Sequence, residues 1–109
     1  MRTHEEITVR DFIKIEEDID VYDNVCEELG IAFCGPMELT EQGLEKFKEV
    51  LNYKITIYRD PYSGDCAVLD IDSDDEKTWK KKLKKASEFF YSLAGYCSEE
   101  NYEKWFKEG

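Results

Sequence analysis

The chain has 109 residues, 41% of them hydrophobic and 14% aromatic, and a net charge of -11. Such a length fits one domain, and so much apolar and ring surface excludes a disordered acidic tail. No apolar run approaches the ~20 residues of a membrane span, residues 1–10 hold no signal-peptide stretch, and the acidic balance repels a phosphate backbone. The expectation is a single domain over residues 1–109, cytoplasmic, with no membrane contact and no direct nucleic-acid binding.

In chain order, the first residues read as a frayed end that holds His4, the only histidine. A helix is predicted over about 8–16, with Thr8 as cap, Asp11 at the capping-box position and Ile7 stapled to Phe12. Asp18 to Asp23 alternates apolar with polar, the period of a half-buried strand, and Ile31 to Cys34 is a second strand closed by Gly35 and Pro36. Between them Val25 and Leu29, four apart, suggest a helical turn.

Thr40 caps the next predicted helix, with Leu39 stapled to Leu44 and an apolar face of Leu44, Phe47, Val50 and Leu51 that runs to about Asn52. Tyr53 to Tyr58 alternates with β-branched and aromatic types, residues 59–65 are dense in turn formers, and Cys66 to Ile71 returns, so a hairpin is predicted. Ser73 and Glu76 form a capping box for the longest helix, whose stripe is Trp79, Leu83, Ala86, Phe90, Leu93 and Ala94. Ser98 starts a last helix, on which Tyr102, Trp105 and Phe106 share one face at spacings of three and four. The order is αββαββαα, an α+β fold with a four-stranded antiparallel sheet and helices packed on one face.

Candidate chemistry is sparse. Cys26, Cys34, Cys66 and Cys97 form no C-x-x-C pair and read as buried or half-buried free thiols. Asp70, Asp72 and Asp74 start a calcium-loop pattern that fails at Asp75, where a glycine is needed, and at Lys81, where a glutamate is needed. Asp70 and Asp72 at a strand end also suit a metal-dependent hydrolase or nuclease, with Asp20, Asp23 and Lys54 as further candidates. There is no nucleophile elbow and no phosphate-cradling glycine loop. No cofactor is implied.

Two surfaces remain. Residues 1–76 carry 21 acids against 7 bases, whereas residues 77–109 carry 5 acids against 8 bases, six of them between Lys77 and Lys85. That lysine face either neutralises the acidic body or, through residues such as Lys81 and Lys85, docks an anionic partner. Rings crowd residues 89–106, where Phe90 belongs to the core stripe and adjacent Phe89 and Tyr91 cannot both share its face. Tyr102, Trp105 and Phe106 therefore pack on the long helix or on a second copy of the chain as a homodimer.

Asp18–Asp23, residues 30–36 (GIAFCGP), residues 39–43 (LTEQG) and residues 93–100 (LAGYCSEE) together resemble small proteins of gut Clostridia encoded near prophage and mobile-element genes, for which no activity is assigned. The resemblance implies a phage or mobile-element accessory protein and carries over no functional residue. The expected function is a small acidic interaction protein that binds a protein partner. One version is a nucleic-acid mimic, with carboxylates of residues 16–28 and 65–76, Asp20 and Asp23 among them, standing in for phosphates. The alternative is the metal-dependent hydrolase built on Asp70 and Asp72.

Overall fold

Successive side chains of a strand face opposite ways, so alternation assigns Ile19 and Val21 to one face and Asp18 and Asp20 to the other. The computed structural model describes residues 3–24, 29–62 and 64–107 and shows that division. The turn expected near Val25 lies outside the described residues. The elements in order are β1 (Thr3–Thr8), α1 (Val9–Phe12), β2 (Asp18–Asp23), β3 (Gly30–Cys34), β4 (Glu38–Leu39) and α2 (Glu41–Lys46). They continue with α3 (Lys48–Leu51), β5 (Lys54–Arg59), β6 (Cys66–Asp70), α4 (Glu76–Leu93), α5 (Glu99–Trp105) and β7 (Phe106–Lys107). No helix among the described residues is long and apolar enough to cross a membrane.

The fold is α+β, with one mixed five-stranded sheet ordered β1-β5-β6-β2-β3 and a small sheet of β4 and β7. Two expectations about the sheet are corrected. Residues 3–8 are a strand, paired antiparallel with β5 from Thr3↔Arg59 to Thr8↔Lys54, and His4 sits opposite Tyr58. Two adjacent glutamates break any alternation there, and a charged, mostly exposed strand is what a sheet edge tolerates. The second correction is direction, since β2 runs parallel to β6 while the other neighbours are antiparallel. Alternation reports faces and is blind to direction.

The inner face of this sheet carries Ile19, Val21, Phe33, Ile55, Ile57, Ala67 and Leu69, all buried. Phe12 joins α1 to the sheet through Phe33 (ring centroids 4.9 Å) and to α4 through Phe90 (6.4 Å). The first helix is a single turn, shorter than predicted, capped as expected by Thr8, whose hydroxyl accepts from the Asp11 N–H at 3.4 Å. The helix predicted to reach Asn52 is kinked at Phe47, where φ is -106° and ψ 19°. The kink buries Phe47 and leaves Leu44, expected on the apolar face, 40% exposed.

Helix α4 is capped by Asp75 in place of Ser73. The Asp75 carboxylate accepts from the Thr78 N–H through Oδ1 (2.7 Å) and from the Thr78 hydroxyl through Oδ2 (2.8 Å), so each donor has its own charged oxygen. Ser73 instead donates its hydroxyl to the Asp75 carbonyl at 3.0 Å. The buried face of α4 includes Leu83, Ala86, Phe89, Phe90 and Leu93, while Ala94 is exposed.

Ser98 caps α5 by accepting from the Asn101 N–H at 3.2 Å. That helix ends at Trp105, and Phe106 opens β7 opposite Leu39, so Phe106 does not share a helical face with Tyr102 and Trp105. Thr40 ties this end to α2: its hydroxyl accepts from the Gly43 N–H (3.1 Å) and donates to the Lys104 carbonyl, while its N–H donates to the Trp105 carbonyl (3.0 Å). Gly43 is required at this crossing, because a Cβ there would lie 2.1 Å from the Trp105 carbonyl oxygen.

Two outcomes follow from these contacts. The bonds from Thr78, backbone first, hold the Asp75 carboxyl below its ordinary range. Its folded-state pKa lies below its unfolded value, so its stabilisation is present above the unfolded value and fades as pH falls through the folded one. Asp75→Ala should therefore lower the Tm at neutral pH, and the gap to wild type should close on acidification; a pH-independent gap would remove the carboxylate from the cap. Gly43→Ala should cost about 1–3 kcal/mol in denaturant melts, the scale of overpacking. A variant as stable as wild type would show that α2 and the end of α5 do not approach so closely.

Candidate functional site

With the helices on the inner face, the other face of the sheet carries no helix among the described residues, although Thr56 at its centre is buried. Register aligns two rows across it, one of His4, Tyr58, Cys66, Asp20 and Ala32, the other of Glu6, Thr56, Val68, Tyr22 and Gly30. Asp70 ends β6 on this side, and its Oδ2 accepts from the Thr56 hydroxyl at 2.6 Å. Asp70 and Asp72 line a cleft of about 420 Å³ together with Glu6, Tyr53, Lys54 and Lys82. Lys54, suggested by sequence as a companion of the two aspartates, is thus beside them, and Glu6 joins from β1.

Two other companions are elsewhere. Asp20 lies opposite Cys66, and Asp23 is turned to the inner face at 3% exposure, where Oδ1 accepts from the Leu29 N–H at 2.8 Å. Asp23 closes the β2–β3 loop and is no surface carboxylate, which corrects its place among the exposed acids. Within the cleft Glu6 pairs with Lys54 (3.3 Å), and Lys82 donates to the Asp72 carbonyl (2.7 Å). Burial pushes the Tyr53 hydroxyl up to about 12, helped by the Glu49 carboxylate 3.3 Å away. No group of three or more His, Cys, Asp or Glu side chains that could hold a metal ion occurs among the described residues. The cleft is of mixed charge, its acids held by neighbours at Glu6 and Asp70.

The C-terminal rings belong to an internal cluster. Phe106 is buried, and Tyr102 and Trp105 are half-buried against the core. Phe47 meets Phe89 edge-on at 5.0 Å and Trp105 at 5.3 Å, and stacks on Phe106 at 6.1 Å. Lys46 places its ammonium 4.9 Å from the Trp105 ring centroid. Of the lysine face, Lys85 pairs with Glu49 and so links α4 to α3, and Lys80 pairs with Glu76 (3.2 Å). Lys81 is exposed and has no carboxylate partner among the described residues. Cys34, Cys66 and Cys97 are free thiols, Cys34 exposed where a buried or half-buried one was expected.

The surface that sequence reasoning passed over is the outer edge of β3. The Gly35 N–H donates to the Glu17 carbonyl at 3.1 Å, one residue pair beyond Asp18↔Cys34. Bonded and non-bonded pairs alternate in an antiparallel ladder, so Phe33 and Ile31 bond to β2 while Gly30, Ala32 and Cys34 aim N–H and C=O outward. These outward groups have no backbone partner among the described residues. At the opposite edge β1 carries Glu5 and Glu6, the usual charged defence; β3 has neither charge nor proline.

Beside this edge lies a groove of about 220 Å³ walled by Phe33, Met37, Phe90, Leu93, Ala94 and Tyr102. Of the aromatic candidates, Tyr102 alone reaches it. The available signal was a strand without a single charged residue, set between the acids of β2 and a turn. No family model, curated protein or solved structure matches this chain.

Proposed function

We propose that the chain is an interaction protein that receives an extended segment of a protein partner along β3. The observation that carries this reading is the row of outward N–H and C=O groups at Gly30, Ala32 and Cys34, flanked by an apolar groove. Strand addition draws on both, main-chain hydrogen bonds for pairing and a side-chain pocket for selection. Each bond contributes about 1 kcal/mol net, and one large apolar side chain in the groove about 1.5–3 kcal/mol. Set against an association cost of about 4 kcal/mol or more, these gains make a transient complex. The resemblance to mobile-element proteins suggests a phage or host protein as partner. The hydrolase alternative has no convergence of carboxylates to rest on, since Asp20 and Asp23 stand apart from the Asp70 cleft.

Ala32→Pro removes an outward donor and leaves the bonded pairs with β2 in place, which an edge strand tolerates. Affinity capture from native cells should retain a partner stoichiometrically on wild type and lose it on Ala32→Pro at matched circular dichroism. If proline disturbs folding, Ala94→Arg, at an exposed position on the groove wall, should give the same loss. A partner held equally by both variants would move the interaction off this edge. Absence of any stoichiometric partner would overturn the interaction reading.

A further inference from the structure

Building on the strand-addition reading, we infer that the segment received by β3 alternates basic with apolar side chains and belongs to a protein other than this one. A strand laid beside β3 turns alternate residues to the two faces of the sheet. On the inner side those residues enter the groove, whose walls are Phe33, Phe90, Leu93 and Tyr102 among others, and must be apolar. On the open side they meet the row of Gly30, Ala32 and Cys34, whose side chains are too small to stop a long neighbour from crossing above them.

Beyond that low row stand Asp20, opposite Ala32, and Asp18, opposite Cys34, both exposed and without a cationic partner among the described residues. They lie about 10 Å from the incoming backbone, two strand spacings away, a gap that an aspartate and a lysine or arginine close between them. Tyr22, opposite Gly30 and 37% exposed, adds a ring face over which a cation can settle. Asp18 also pushes the Cys34 thiol above its ordinary range by hydrogen bond and charge, a local sign of negative potential along this edge.

A second copy of the chain is a poor occupant. An isologous pairing sets the same patch against itself, and β3 carries no basic side chain to reach the Asp18 and Asp20 of the other copy. A partner strand with lysine or arginine at every second position supplies those cations.

The test uses three capped peptides on the intact chain: lysine alternating with valine, glutamate alternating with valine, and a peptide of the first composition with lysines and valines in separate blocks. Affinity is read by fluorescence anisotropy, and position by amide shifts and hydrogen exchange. The lysine–valine alternation should bind and protect the amides of Gly30, Ala32 and Cys34. Asp18→Asn with Asp20→Asn should weaken it about fivefold, the size of two exposed ion pairs, and Ala32→Pro or Ala94→Arg should remove it.

A glutamate–valine peptide bound as tightly at the same amides would overturn the partner chemistry and leave strand addition standing. Equal binding of the blocked peptide, undiminished in Ala32→Pro, would reduce the effect to general charge attraction and overturn the inference. Failure of both alternating peptides to touch the edge amides would overturn the strand-addition reading as well. Self-association abolished by Ala32→Pro would make a second copy the occupant and likewise refute the inference.

Discussion

Phe47 is the residue on which the arrangement of the helices depends. It sits at the kink between α2 and α3, and its ring touches Phe89 of α4, Trp105 of α5 and Phe106 of β7. Three stretches far apart in sequence are joined by rings at one point, where edge-on and offset contacts add to the burial of large apolar surfaces. The position of α5 follows from that junction. With Trp105 and Phe106 held there and Phe106 paired opposite Leu39, Tyr102 is carried to the wall of the groove beside β3, 5.2 Å from the Phe106 ring. The candidate binding surface therefore depends on a core contact made by the last turn of the same helix.

Much of this architecture was legible, and the exceptions have physical causes. Asp18–Asp23 is legible to the residue because one face is core and the other is water, so every position is constrained. The β5–β6 hairpin is legible from its β-branched and aromatic residues and its turn, although its outer face is itself buried or half-buried at Thr56, Tyr58, Cys66 and Val68. The edge strand β1 was not, since an edge needs charge more than alternation and Glu5 and Glu6 erase the pattern. Phe106 continued the three- and four-residue spacing of α5, and only the tertiary pairing with Leu39 draws it out of the helix. The cap of α4, expected at Ser73, is Asp75, whose two carboxylate oxygens take the N–H and the hydroxyl of Thr78.

Residues that suggested chemistry turn out to carry structure. Asp23 binds the Leu29 N–H from inside the core, Asp70 accepts from Thr56, and Lys85 links two helices through Glu49. A buried acceptor left without its donor costs about 1–3 kcal/mol, so the Asp23 contact constrains its loop strongly. The candidate site was the harder feature to see from residue types, because backbone groups make it. Glycine, alanine and cysteine at its outward positions contribute by being small.

The separation of charge along the chain acquires a direction once the layers are assembled. Lys77, Lys80, Lys81 and Lys84 of α4 are exposed on the helical layer, while Asp18 and Asp20 belong to the open side of the sheet. Asp18 and Asp20, which have no cationic partner among the described residues, make the β2 side of the sheet locally negative. A cationic partner diffusing nearby experiences a torque before any contact and arrives facing the aspartates more often than chance allows. At about 0.15 M salt that field reaches only about 8 Å, roughly two strand spacings, so ionic strength regulates how far from the edge an approaching chain begins to be oriented.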